Sequence, residues 1–206
     1  MEKGAIPKKV IYRLSTYHRC LQRLADNSII TVSSGTLAKA AGVNSSQLRK
    51  DIAYLGQWGT RGLGYPVDTL AAALRDALRQ EKLQPVILIG AGNLGSALLR
   101  YQGFQKEGFE VIAAFDSDPA AARARGVNVP LFLEEEMENF LLENNVRLAI
   151  LCVPAEYAQG IVNRLVRAGI QGILNFSPAV LEVPKEIVVN NVDLASELEN
   201  LSYFIR

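Results

Sequence analysis

The sequence is poor in the residues that build metal sites and disulfide frameworks. Its 206 residues include one histidine and two cysteines, Cys20 and Cys152, which lie far apart. A site with several histidine ligands is therefore impossible within one chain, and a reducing cytoplasm is the expected location. No apolar run approaches the roughly 18 residues that a membrane span needs. The N-terminus lacks the apolar segment of a secretory signal, so we expect neither a leader nor a membrane anchor.

The composition is otherwise ordinary for a globular protein. It is 49% hydrophobic and 21% charged, which excludes disordered, collagen-like and low-complexity classes. The net charge of +1 hides an asymmetry: residues 1–66 contain ten Lys or Arg and three Asp or Glu, whereas the other 140 residues contain 12 and 18. A basic N-terminal segment indicates contact with a polyanion, and a solvated basic surface is the equal alternative on charge alone.

The first 80 residues predict a helical domain with one glycine-rich turn. Apolar residues recur at spacings of three or four over residues 10–24 and predict a first helix. Ser33 or Ser34 is expected to cap a short second helix that Gly42 ends. Asn44 is expected to open a third helix, with glutamine three residues later in the arrangement of a capping box. These helices are typical of a helix-turn-helix domain.

The third helix and the segment after it predict a DNA-binding surface. The helix presents a polar face, and the glycine-rich run GQWGTRGLGYP that follows is typical of a wing. A recognition helix enters the major groove, where Arg and Lys contact guanine, and a wing arginine reaches a narrow minor groove. A solvated helix face is the alternative. The expected DNA-binding residues are Ser46, Gln47, Arg49, Lys50, Tyr54 and Arg61.

From Pro85 onwards the pattern changes to apolar runs that alternate with helical segments. This alternation predicts a doubly wound α/β unit with a parallel sheet covered on both faces. The expected strands lie at 85–89, 110–116, 147–154, 172–176 and 186–189.

A GxGxxG motif, Gly90–Gly95, follows the first of these strands and opens a predicted helix. Gly90 makes the tight turn, Gly92 lets the backbone approach a pyrophosphate, and Gly95 lets the helix pack on the strand. Asp116 ends the next strand, where a carboxylate accepts hydrogen bonds from the adenosine ribose and favours NAD(H) over NADP(H). Glycines that merely close a turn, or a different nucleotide, are the alternatives. The expected cofactor-binding residues are Gly90, Ala91, Gly92, Asn93, Leu94, Gly95, Asp116, Val153 and Pro154.

The sequence offers no catalytic partner for a dinucleotide. The single histidine, His18, falls on the first helix, where we expect a surface or interface position. No Tyr-x-x-x-Lys pair is present, and the nucleotide unit leaves no room for a catalytic domain. We therefore predict that the chain is not an enzyme and that the cofactor is a signal rather than a reagent.

Four segments together resemble the redox-sensing transcriptional repressor family Rex. They are SSQLRKDIAYLGQWGTRGLGY, LIGAGNLGSALLRYQGF, GILNFSP and NVDLASELENLSYF, and the resemblance spans nearly the whole chain. It implies a winged-helix DNA-binding domain at 1–82, a Rossmann NAD(H)-binding domain at 83–190 and a dimerisation helix at 191–206 that crosses to the partner. It also implies a homodimer that senses the NADH/NAD⁺ ratio, binds palindromic operator DNA and is released by NADH.

The resemblance assigns further roles to single residues. It places DNA contacts on Arg49, Lys50 and Arg61 and a ligand-dependent switch on Arg19, Tyr101 and Asp193. The residue after the switch aspartate is Leu194, where some members carry an aromatic ring near the nicotinamide, so ring stacking is not available there.

Two other functions are compatible with the residues alone. One is a small NAD-dependent oxidoreductase with a basic N-terminal appendage, and the other is a nucleoid or scaffold protein that senses nothing. The amphipathic C-terminal helix predicts burial of its apolar stripe against a partner subunit or against its own core.

Overall fold

The structure is a computed structural model that describes residues 6–60, 62–78 and 83–205. The chain forms two compact units, Met1–Lys82 and Leu83–Arg206. Each unit has hydrophobic clusters of its own, and each is described by itself.

The described part of the first unit is mainly helical. Leu14, Tyr17 and Leu21 lie on one buried face of the first helix, as their spacing predicts, and the helix packs against the last helix of the unit. A two-stranded antiparallel sheet closes the domain. The elements are α1 (Lys8–Asp26), β1 (Thr31–Val32), α2 (Ser34–Ala40), α3 (Ser45–Ile52), β2 (Tyr65–Pro66) and α4 (Val67–Ala77).

Two of the predicted helix caps are confirmed. The Ser33 hydroxyl accepts a hydrogen bond from the Thr36 amide at 3.0 Å, and the Asn44 side chain accepts one from the Gln47 amide at 2.8 Å. The Gln47 side chain does not complete a capping box, because it donates to Asp51 one turn further along the helix. The turn that sets α2 against α3 is therefore fixed by local side chains.

The surface position expected for His18 is wrong. Its side chain is only 3% exposed and belongs to the interior of the first unit. The residue follows Leu14 by four positions and precedes Leu21 by three, so it lies on the buried face of α1.

The second unit is built on a six-stranded parallel sheet with the order β5-β4-β3-β6-β7-β8. This order confirms the predicted doubly wound fold. The strands are β3 (Gln84–Ile89), β4 (Phe109–Asp116), β5 (Leu131–Leu133), β6 (Leu148–Leu151), β7 (Gly172–Asn175) and β8 (Val188–Asn191). The helices are α5 (Asn93–Leu99), α6 (Gly103–Lys106), α7 (Pro119–Ala124), α8 (Met137–Asn144), α9 (Ala155–Arg167) and α10 (Leu194–Phe204).

Apart from shifts of one or two residues at other strand ends, the strands depart from the prediction at three places. The strand expected at 147–154 ends at Leu151, because Cys152, Val153 and Pro154 leave the sheet to enter α9. The last strand begins at Val188 rather than at residue 186. The sequence pattern missed β5, which has three residues and is too short for a periodic signal.

Candidate DNA-binding surface and nucleotide pocket

The predicted DNA-binding residues of α3 lie largely on its exposed side. Ser46, Arg49 and Lys50 are exposed and follow the i, i+3, i+4 spacing of one helix face. Tyr54 is exposed in the 3-10 turn that continues α3. Gln47 is partly buried. A short helix with two cations on its outer face is suited to insertion into a DNA groove.

A cavity of about 540 Å³ separates α3 from the glycine-rich wing. Arg49 lines it and donates a hydrogen bond to the Ser34 hydroxyl at 3.1 Å. Trp58, Thr60 and Tyr65 line the side of the wing, where Thr60 bridges Gly64 across an antiparallel turn. Arg61 lies outside the described residues. The structure thus brings α3 and the predicted wing to one concave surface.

The glycine-rich loop has the backbone that its motif predicts. Gly90 has a φ of +90°, and a Cβ there would lie 2.6 Å from the carbonyl oxygen of Cys152. A Cβ on Gly95 would overlap the carbonyl oxygen of Gly90. A Cβ added to Gly92 would lie in open space, with no atom of the described residues within 4 Å except in its own chain neighbours. Two glycines therefore allow the loop to fold, and Gly92 leaves room for a ligand.

Asp116 connects the end of β4 to this loop. One carboxylate oxygen accepts a hydrogen bond from the Ala91 amide at 2.6 Å, and the other accepts one from the Asp118 amide at 2.8 Å. A carboxylate offers about four lone-pair sites, so further acceptor capacity is left for a ligand hydroxyl. The sequence predicted the position of Asp116 but not its contact with the loop.

A cavity of about 390 Å³ lies at the carboxyl ends of the strands, where doubly wound folds bind ligands. Of the predicted cofactor-binding residues, Gly90, Gly92, Asp116, Val153 and Pro154 line it. Ala91, Asn93, Leu94 and Gly95 belong to the same loop and helix start without lining the cavity. The residues that the sequence analysis missed are Phe115, Ser117, Glu134, Cys152, Tyr157 and Ile161.

Two of the missed residues have environments that define their chemistry. Burial raises the pKa of the Cys152 thiol to about 12, so at neutral pH it stays protonated and contributes an apolar wall. Glu134 is fixed by an ion pair with Arg164 at 2.5 Å. Arg164 also binds Glu138, and this hydrogen bond holds the pKa of Glu138 below its usual value. Glu134 was detectable only as one of three consecutive glutamates.

The predicted switch residues are placed within their own units. Arg19 is exposed on α1, and Tyr101 is exposed with its ring edge-on to Phe104 at 5.2 Å. Asp193 is the N-cap of α10, where its carboxylate accepts hydrogen bonds from the Ser196 amide and hydroxyl. These hydrogen bonds hold the pKa of Asp193 below its usual value.

Among the described residues there is no group of three or more His, Cys, Asp or Glu side chains arranged to hold a metal ion. The described helices are all too short or too polar to cross a membrane.

A helix-turn-helix unit joined to a doubly wound unit with a nucleotide pocket defines a class of DNA-binding protein that carries a nucleotide-binding unit. Models of two families match these parts: "Putative DNA-binding protein N-terminus" matches residues 5–53, and "CoA binding domain" matches residues 81–179. The redox-sensing transcriptional repressor Rex of Carboxydothermus hydrogenoformans is 44% identical over 100% of this chain and 99% of its own. The chain belongs to the family of redox-sensing transcriptional repressors Rex.

Solved structures agree with this assignment. RSP, a Rex-family repressor, in complex with NADH is 38% identical with a TM-score of 0.85, over 98% of this chain and 95% of that chain. RSP in complex with NAD⁺ and operator DNA is 37% identical with a TM-score of 0.87, over 98% and 93%. The predicted family and fold class are confirmed. Because the family consists of transcriptional repressors, the prediction of a regulator rather than an enzyme is also confirmed, and the oxidoreductase alternative is not favoured.

Proposed function

We propose that this chain is a cytoplasmic homodimeric repressor that binds palindromic operator DNA and is released by NADH. The observation that carries the proposal is the coexistence of the exposed cationic face of α3 with the pocket formed by the glycine-rich loop and Asp116. RSP has been solved with NADH, and with NAD⁺ together with operator DNA, so both ligands have precedent in a full-length relative.

We propose a role for each predicted cofactor-binding residue. The loop Gly90–Gly95 would hold the pyrophosphate, with Ala91, Asn93 and Leu94 supplying backbone. Asp116 would bind the adenosine ribose and repel a 2′-phosphate, which selects NAD(H). Val153 and Pro154 would line the nicotinamide end.

We propose roles for the predicted DNA-binding residues in the same way. Arg49 and Lys50 would contact bases and phosphates in the major groove, with Ser46, Gln47 and Tyr54 beside them, and Arg61 would enter the minor groove. Two such helices in a dimer must lie about 34–36 Å apart, or a multiple of this distance, to read both halves of a palindrome on one DNA face.

The trigger is the charge of the nicotinamide ring. The ring is positive in NAD⁺ and neutral in NADH, and burying an unpaired charge is costly, so a closed pocket prefers NADH. A ligand shifts a conformational equilibrium only by its differential affinity for the two states. Moving a population from 1:99 to 99:1 takes roughly 10⁴-fold discrimination, about 5.5 kcal/mol. Arg19, Tyr101 and Asp193 would exchange partners in this transition.

We also propose the division of the chain into a DNA-binding domain at 1–82, a Rossmann domain at 83–190 and a dimerisation helix at 191–206. The apolar residues of α10 are exposed along its length, and an exposed apolar helix needs a partner.

The test is a titration of the protein–DNA complex with NADH. A palindromic duplex selected from a random pool is bound by the protein in a fixed excess of NAD⁺, and fluorescence anisotropy follows the complex as NADH is added. We expect NADH to dissociate the complex. DNA binding that ignores NADH would support the scaffold alternative, and turnover of NADH with carbonyl compounds would support the oxidoreductase.

A further inference from the structure

A buried carboxylate lies directly beneath the exposed face of α3. The Asp51 side chain is 1% exposed and accepts hydrogen bonds from three other side chains. Arg13 donates from Nε at 2.6 Å and from Nη2 at 2.8 Å, Tyr17 donates from its hydroxyl at 2.7 Å, and Gln47 donates at 2.9 Å. Arg13 and Tyr17 belong to α1, so this network joins α1 to α3.

The hydrogen-bond network around Asp51 restricts the rotation of α3, which apolar packing alone does not. The helix has eight residues, and its buried apolar anchors are Leu48 and Ile52. Contacts between apolar groups are non-directional, so two anchors leave the rotation of a short helix weakly defined. An Arg–carboxylate contact with two parallel hydrogen bonds has a fixed fork geometry, so it restricts the angle between the two helices that carry these residues. The hydroxyl of Tyr17 donates to the same carboxylate from another side and restricts its orientation further.

Stability alone does not explain the charge at this position. A buried ion pair contributes little or nothing beyond an apolar replacement of the same volume, because desolvation offsets the attraction. Its best-attested use is to select one arrangement of packed elements. Here the elements are α1 and α3, and Arg49 and Lys50 immediately precede Asp51 in the chain.

We propose that Asp51 is a positioning residue for DNA recognition, which fixes α3 on α1 through Arg13 and Tyr17 so that Arg49 and Lys50 meet DNA in one geometry. Gln47 then orients the carboxylate of Asp51 rather than reading a base. This inference rests on the proposed function, because it concerns the same DNA-binding surface. Functional groups must be held to within about 0.5 Å and 10–20° to act as a site, and hydrogen bonds from a neighbouring helix restrict the position of α3 toward this requirement.

The test compares specific with non-specific DNA binding in Asp51→Asn. Anisotropy gives the affinity for the selected palindrome and for a scrambled duplex of equal length, at a temperature where circular dichroism shows a folded protein. We expect the ratio of the two affinities to fall at least tenfold, because base contacts depend on the angle of α3. Affinity for the scrambled duplex should change little, since phosphate contacts tolerate rotation.

Two further variants keep the test decisive. Tyr17→Phe retains the packed ring and removes one hydrogen bond, so the affinity ratio should fall about two- to fivefold. Leu74→Ala in α4 destabilises the same unit but removes none of the hydrogen bonds to Asp51, so it should lower the thermal midpoint and leave the ratio unchanged. Asp51→Asn and Tyr17→Phe variants with a wild-type ratio would overturn the inference, whatever their stability. A wild-type protein that prefers no palindrome would refute the proposed function itself and, with it, this inference.

Discussion

Asp116 combines a structural contact with the chemistry expected of a ribose ligand. Its bond to the Ala91 amide couples the loop that would hold the pyrophosphate to the carboxylate that would hold the ribose. The bond to the Asp118 amide fixes the other oxygen. One side chain therefore fixes the glycine-rich loop against the end of β4 before a ligand arrives, which in the proposed site would lower the entropic cost of binding.

Replacing this carboxylate separates ligand binding from DNA binding. We expect Asp116→Ala to weaken NADH binding about 10- to 100-fold, since hydrogen bonds to a charged group contribute about 1.5–3 kcal/mol. DNA affinity without ligand should stay within about twofold, because α3 is in the other unit. NADH fluorescence titration and anisotropy measure the two affinities. The control is Asp118→Ala, which removes only the cap of α7; equal loss of NADH and DNA binding in Asp116→Ala would indicate misfolding instead.

Asp51 makes the stability of the first unit sensitive to acid. Burial raises the pKa of Asp51, but hydrogen bonds from Arg13, Tyr17 and Gln47 outweigh it and hold the pKa below its usual value. A carboxyl whose folded pKa is lowered stabilises the fold above its unfolded pKa, about 3.9. The contribution is lost as the pH falls below that value through the folded pKa.

Asp51→Asn should therefore flatten the acid side of the stability profile. Between pH 5 and pH 3 we expect the thermal midpoint for unfolding of the first unit to fall further in the wild type than in the variant. Circular dichroism melts at both pH values measure this difference. Parallel pH dependence in the two proteins would mean that the Asp51 carboxylate is not held in its charged form by the network.

The roles of single residues were predictable where a role follows from local spacing. Asn44 was recognised as a cap because its partner amide lies three residues away. The position of Asp116 at the end of a strand was predictable because the length of a strand–helix–strand unit is restricted. The burial of Asp51 was not predictable in this way. Its partner Arg13 is 38 residues distant, and an aspartate that directly follows Arg49 and Lys50 in a short helix has the pattern of an exposed position.

At the level of elements, the glycine-rich loop and the start of α5 perform two separable tasks. Gly95 permits the close packing of helix and strand, and Gly92 leaves open the space that a pyrophosphate would occupy. The motif alone suggested both tasks. The structure distinguishes them, because it shows which added methyl group meets protein and which meets solvent.

Alanine at these two glycines should give opposite results. Gly92→Ala should leave the free energy of unfolding within about 0.5 kcal/mol of the wild type and weaken NADH binding at least tenfold. Gly95→Ala should destabilise the second unit by about 2–4 kcal/mol, because its Cβ overlaps backbone rather than a flexible side chain. Urea unfolding and NADH titration measure the pair. A stable Gly95→Ala protein, or unimpaired NADH binding by Gly92→Ala, would contradict this division of tasks.

Elements were predictable in proportion to their length and periodicity. The apolar strands β3 and β4 and the amphipathic helix α1 were recognised because many residues contribute to each pattern. β5 has three residues, and its place at the sheet edge depends on pairing with β4, which is a tertiary effect. The early end of β6 follows from Pro154, which is the N-cap of α9.

At the scale of the whole molecule, the second unit exposes large apolar side chains that association with a partner would bury. Leu198, Leu201 and Phe204 on α10 are 67%, 62% and 81% exposed. A separate apolar groove of about 300 Å³ opens on the sheet and includes Leu148 and Leu174. Exposed apolar side chains along a helix are typical of association sites. Periodicity revealed the apolar stripe of α10, but not whether its own core or a partner covers it.

Removing α10 tests whether the helix holds two subunits together. A chain ending at Asp193 keeps β8 and loses the exposed leucines, so we expect monomers or aggregates in light scattering. A monomer presents one α3 to a palindrome, so its affinity should approach that for a single half-site. Leu198→Glu should weaken the dimer by placing a charge in its apolar contact, whereas Glu199→Gln on the same helix should not. A stable, soluble dimer of the shortened chain would show that other surfaces join the subunits and that α10 does not carry the association.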